Sequence, residues 1–160
     1  MTEDWESRLA AAWGTVDNLS DEAAPEAIDA LVDELPNTDA RGPFEAAGIR
    51  DYLGLELLAE PLYRLALQLG LEGDRLARAQ IQLASTIRNL GRFDESIEIL
   101  RARLAEHPTD VWAGPASAFL ALALASRGDE RLATSVALIA LAEYLPRYNR
   151  AVRGYATELL

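Results

Sequence analysis

The chain has 160 residues, half of them apolar, which allows one domain with a substantial core. It contains no cysteine and only one histidine, which excludes disulfides, thiol catalysis and metal sites built from thiolates or paired imidazoles. The net charge is −11, and no part of the chain is basic enough to indicate binding to nucleic acid or to an anionic membrane.

The acidic charge is concentrated at the N-terminus. Residues 1–39 hold eleven acids and one arginine, a net charge of −10, whereas the other 121 residues carry −1. We expect two acidic amphipathic helices here, which cap the end of the fold or lie against an arginine-rich groove. Because the segment lacks the basic residues of a secretory or transit signal, we also expect a cytoplasmic protein. The first helix is marked by an apolar stripe at helical spacing: Trp5, Leu9, Trp13 and Val16.

From residue 40 onward, the sequence predicts a series of helices separated by glycine and proline. The longest uncharged run, Val111 to Ser126, is too short to span a bilayer. The expected helices span 42–53, 56–69, 74–90, 93–106, 115–127 and 131–145. A terminal helix follows, with Tyr148, Val152, Tyr155 and Leu159 on one face, and we expect its tyrosines to fill the apolar end of the preceding unit.

These helices repeat with a period of 37 residues, the spacing between Gly54, Gly91 and Gly128. A period of this length with fixed small and apolar positions is typical of stacked helical repeats. The sequence therefore predicts an all-α fold of about nine helices. Three units (40–76, 77–113 and 114–145) lie between the N-terminal segment 1–39 and a C-terminal capping helix at 146–160. The recurring small residues are Ala47, Ala84 and Ala121 in one set, and Ala59, Ser96 and Ala133 in another.

The three units resemble the tetratricopeptide repeat, in particular a bacterial subgroup of small proteins built from it. The glycines and both sets of small residues stand at the signature positions of that repeat, with three extra residues in the connector. The best copy is the middle unit, LGRFDESIEILRARL, although Arg103 replaces the usual alanine. The likeness covers roughly residues 30–156 and implies a right-handed α-α superhelix that acts as a non-enzymatic scaffold for a protein partner.

The resemblance also implies a concave groove lined by the first helix of each unit. Within 74–90, the apolar residues lie on one face and the polar ones on another, which agrees with that assignment. Arginine with amide and hydroxyl neighbours is suited to binding a carboxylate through paired hydrogen bonds. The expected groove residues are Arg78, Gln82, Ser85, Arg88 and Asn89 in the middle unit, Phe119 and Leu122 in the third, and Arg41, Phe44, Glu45, Gly48, Asp51 and Tyr52 in the first.

We expect this groove to bind an acidic or amphipathic segment of a protein partner. The alternative explanation of the same arginines is a solvated helix face that confers solubility. A second functional hypothesis is self-association as a homodimer through the apolar third unit and the C-terminal helix. No phosphate loop, zinc spacing or nucleophile-histidine pair occurs, so we expect no catalytic residue, no metal site and no cofactor.

Overall fold

The computed structural model describes residues 2–160, and within that range it contains nine α-helices, one short 3-10 helix and no strand. This confirms the all-α class and the predicted number of helices, while the right-handed superhelix stays a prediction. The helices are α1 (Thr2–Trp13), α2 (Ala23–Val32), α3 (Arg41–Tyr52), α4 (Glu56–Gln68), α5 (Gly73–Asn89), α6 (Phe93–Glu106), α7 (Ala113–Arg127), α8 (Glu130–Ala142) and α9 (Asn149–Thr157), with the 3-10 helix at Val16–Asn18.

The three evenly spaced glycines each separate the two helices of a pair. Gly54, Gly91 and Gly128 have φ angles of 70°, 80° and 101°, which residues with a Cβ rarely adopt. The small positions allow the paired helices to pack closely, and all six of these residues are buried. In the middle pair, the buried Ser96 hydroxyl also donates a hydrogen bond to the Ala84 carbonyl at 2.7 Å.

The chain divides into two compact units, one ending at Gln82 and the other running from Leu83 to Leu160. In the first unit, α2 packs on both α1 and α3, and α3 packs on α4. The predicted N-terminal stripe is buried here, except that Trp13 is half-buried. One core cluster therefore joins the N-terminal helices to the first repeat helix: Trp5, Leu9, Val16, Ala24, Ile28, Leu31 and Ile49.

In the second unit, α6 packs on α7, α7 on α8, and α8 on α9. The expectation that the tyrosines of the terminal helix fill the apolar end of the third unit is wrong, because Tyr148 and Tyr155 are 77% and 69% exposed. The buried residue of α9 is Ala156, flanked by the half-buried Val152 and Leu159. A small side chain allows α9 to approach α8 closely, while the tyrosine hydroxyls remain in water.

The arginine that departs from the repeat pattern is structural. Arg103 is only 3% exposed and forms an ion pair with Asp110 in the connector before α7. Asp110 also accepts a hydrogen bond from the backbone N–H of Trp112 at 3.0 Å. The long connector thus supplies the carboxylate that a buried guanidinium requires.

Candidate functional site

Ion pairs connect α1 to two arginines of the first unit. Glu6 accepts hydrogen bonds from Arg75 at 2.5 and 3.1 Å and from Arg41 at 3.1 Å. Arg41 also pairs with Asp39, and Arg75 donates to Glu45 at 3.1 Å. The hydrogen bonds from Arg75 lower the pKa of Glu6 below its ordinary value. The acidic N-terminal segment therefore neutralises Arg75 and the predicted groove residue Arg41.

The next turns of the N-terminal segment contact three further predicted groove positions on α3. The Trp13 indole N–H donates to the buried Glu45 carboxylate at 2.9 Å. Gly48 has no side chain where the Trp13 ring passes, and a Cβ built there would lie 3.3 Å from the ring. The Tyr52 hydroxyl donates a hydrogen bond to Asp17, which raises the pKa of that tyrosine. One face of α3 is thus lined by the N-terminal segment.

A cavity of about 240 Å³ lies next to Trp13 in the first unit. Arg78 extends over the Phe44 ring, 5.2 Å from its centroid, so the buried ring acts as a platform for the guanidinium. The Tyr63 hydroxyl donates to Asp51 at 3.3 Å, and burial raises the pKa of Tyr63. Seven of the predicted groove residues therefore surround one cavity. Its lining consists of Trp13, Phe44, Glu45, Gly48, Asp51, Tyr52, Arg78 and Gln82.

In the second unit, Arg88 is held by neutral side chains. Its Nη2 donates to the Asn89 amide oxygen at 2.9 Å, and its Nη1 donates to the Ser126 hydroxyl at 3.4 Å. The Arg88 Nε is buried and has no acceptor. Such a buried donor costs about 1–3 kcal/mol, and the two Nη atoms contact only neutral groups, which leaves the charge of the guanidinium without a carboxylate at these contacts.

The other predicted site residues also lie in the second unit. Ser85 is half-buried on α5, whereas Asn89 at the end of that helix is exposed. On α7, Phe119 is half-buried and Leu122 is 48% exposed. The predicted set thus falls into two groups. The first unit holds Arg41, Phe44, Glu45, Gly48, Asp51, Tyr52, Arg78 and Gln82, and the second holds Ser85, Arg88, Asn89, Phe119 and Leu122.

Sequence reasoning missed Trp13 as a wall of the cavity. It placed this residue only on the apolar stripe of a capping helix. The segment carries no signature residue of the repeat, and contacts such as Glu6–Arg41 and Asp17–Tyr52, each between residues 35 positions apart, are visible only in the structure.

Neither a cluster of metal ligands nor a membrane-spanning helix occurs in the part of the chain that the structure describes, residues 2–160. No group of three or more His, Asp or Glu side chains in that range could hold a metal ion. In the same range, no helix has the length and apolar character needed to cross a membrane.

A family model described as "Tetratrico peptide repeat" matches residues 40–159, three quarters of the chain. No curated protein and no solved structure matches the chain significantly.

Proposed function

This chain belongs to the tetratricopeptide repeat family, whose members are protein interaction modules, and we propose that it is a non-enzymatic scaffold that binds an acidic or amphipathic peptide segment. The observation that carries the proposal is the environment of Arg88. A half-buried guanidinium contacts an amide and a hydroxyl and keeps one buried N–H without an acceptor. A carboxylate is the acceptor that best suits this group.

The cavity of the first unit supports the same ligand chemistry. Arg78 offers a second guanidinium, and the nearby Trp13 and Tyr52 rings offer apolar contact surface. A peptide with an acidic side chain next to an apolar one could contact both the Arg78 guanidinium and the aromatic rings. The proposal that the ligand also has an apolar part is supported by Leu122 on α7, whose side chain is about half exposed.

The test uses two labelled amphipathic helical peptides, one with glutamates and one with glutamines at the same positions. Fluorescence anisotropy should show tighter binding of the glutamate peptide. Arg88→Glu should weaken that binding at least about tenfold, since a hydrogen bond to a charged group contributes roughly 1.5–3 kcal/mol. The matched control is Arg101→Glu, which makes the same charge change at an exposed position on α6.

Two outcomes would contradict the proposal. Equal affinity for the two peptides would remove the carboxylate as the recognised group. Equal weakening by Arg88→Glu and Arg101→Glu would mean that only net charge matters, which is the solubility explanation of the arginines.

A second candidate function is self-association through the third repeat and α9. Exposed aromatic and aliphatic side chains favour it: Tyr144, Tyr148 and Tyr155 are each about 70% exposed or more, and Leu141 is half exposed. We define these four residues as the C-terminal surface. Leu141→Glu should abolish any dimer built on this surface, as measured by sedimentation equilibrium. A dimer that survives the substitution would rule out this surface.

A further inference from the structure

The second helices of the three repeat pairs, α4, α6 and α8, can be compared position by position, because steps of 37 residues relate them. Four exposed positions of α4 are apolar, and we call the face that they form the outer face of this helix. The matching positions on α6 are acidic or small, as expected for a face in water. Those on α8 are mostly apolar or small. The three sets are Leu57, Leu58, Pro61 and Leu65 on α4; Asp94, Glu95, Glu98 and Ala102 on α6; and Arg131, Leu132, Ser135 and Ile139 on α8.

The outer face of α8 is covered by another helix. α9 packs on α8, and Arg131 donates to the carbonyls of Glu158 and Leu159 at the end of α9. Beside it, Ser135 is buried and Ile139 is half-buried. In this protein, an apolar face at these repeat positions is therefore one that receives a further helix.

The matching face of α4 is open. Six residues of α4 are exposed, and four of them are the apolar residues just named. Leu57, Leu58 and Leu65 are 77%, 56% and 41% exposed. Single exposed leucines are ordinary, but a continuous apolar helix face marks a surface that another molecule covers.

The neighbouring Glu60 and Arg64 are complementary to the same two residues of an antiparallel copy, and we propose that α4 pairs antiparallel with α4 of a second copy of the chain about a two-fold axis near Pro61 and Leu62. In this arrangement Leu58 lies opposite Leu65 of the other helix. Arg64 lies opposite Glu60 of the other helix, and the axis repeats both contacts. Antiparallel helices bring the same flank of each together, so the charged flank of α4, which holds Glu56, Glu60 and Arg64, faces the same flank of the other copy.

Within one chain, Arg64 already pairs with Glu60 one helical turn away, at 2.9 Å. The second copy would place two such pairs side by side in alternating charge, which favours the antiparallel alignment over the parallel one. One helix face per copy is at the small end of stable interfaces, so we expect a dimer that dissociates in the micromolar range. This proposal does not depend on the peptide-binding proposal.

The test is sedimentation equilibrium of the full chain from about one micromolar to about one millimolar. The 17.5 kDa chain should show a monomer-dimer equilibrium, and Leu58→Glu should raise the dissociation constant at least about tenfold. The matched control is Leu141→Glu, which places the same charge at a leucine of similar exposure, 50%, on the C-terminal surface. It should leave the dimer intact.

A charge-exchange series makes the test specific to the alignment. Arg64→Glu alone should weaken the dimer, because glutamate would face glutamate, and the double variant Glu60→Arg/Arg64→Glu should restore it. A monomer at every concentration would overturn the proposal. So would dissociation by Leu141→Glu but not by Leu58→Glu, which would support the C-terminal surface. Failure of the double variant to restore a dimer lost in Arg64→Glu would also overturn the antiparallel pairing.

Discussion

The hydrogen bond between Trp13 and Glu45 can be tested by a double-mutant cycle. The Glu45 carboxylate is buried and accepts two N–H groups, from Trp13 at 2.9 Å and from Arg75 at 3.1 Å. Glu45→Gln keeps the shape of the side chain, but its NH2 group cannot accept a hydrogen bond. One of the two donors then has no acceptor, which should lower the free energy of unfolding by about 1–3 kcal/mol.

Trp13→Phe removes the indole donor and leaves the carboxylate with Arg75 alone. A lost hydrogen bond to a charged group should cost about 1.5–3 kcal/mol. In the double variant the glutamine oxygen can accept from Arg75, and no indole N–H faces the amide. The double variant should therefore lose less than the sum of the single variants, by about 1–2 kcal/mol.

Urea unfolding monitored by far-UV circular dichroism measures these free energies. Glu34→Gln is the control, since Glu34 pairs with Arg8 at the surface and its substitution should have a much smaller effect. If the two single effects added to within about 0.5 kcal/mol, Trp13 and Glu45 would not be coupled, and α1 would not be anchored to α3 at this point.

Three further predictions concern the ion pair of Glu6, the buried arginine Arg103 and two glycines. Arg75 lowers the pKa of Glu6 in the folded state below the ordinary value of 4.5. The stabilisation from this pair is therefore present above pH 4.5 and is lost as the pH falls through the pKa of the folded state. Glu6→Gln should remove this loss and flatten the acid side of a plot of unfolding free energy against pH. Asp110→Ala should lower the free energy of unfolding by about 3–5 kcal/mol, because it leaves a buried guanidinium unpaired, and the more conservative Asp110→Asn should cost less. Gly154→Ala places a Cβ in open space and should stabilise α9 by about 0.5–1 kcal/mol, as measured by thermal unfolding. Gly91→Ala places a Cβ on a residue with a φ of 80° and should destabilise the protein by a similar amount or more.

The helical repeat was predictable because its signals are local. Gly91 and its counterparts end helices through backbone conformation, which a sequence period reports directly. The face of α9 that packs on α8 was not predictable in this way. A search for helical periodicity treats Tyr155 and Val152 alike as apolar, but the tyrosine hydroxyl can remain hydrogen-bonded to water, so tyrosine is exposed at a lower cost than valine.

The candidate site was predictable only in part. The positions of Arg78 and Arg88 follow from the repeat alone, since each stands on the polar face of α5. The wall formed by Trp13 follows from tertiary contacts of a segment that carries none of the repeat's signature residues. Pairing between Glu6 and Arg75, 69 residues apart, leaves no pattern in a single sequence.

The contacts of α1 bear on where this protein can be divided. The match to the family model begins at residue 40, but the compact unit that contains α3 also includes α1 and α2. A fragment cut at residue 40 would expose Ile49 to water and leave Glu45 without its indole donor. The region that carries the repeat pattern and the unit that packs as one body are therefore different lengths of chain, and expression of the first repeat in soluble form should require the N-terminal helices.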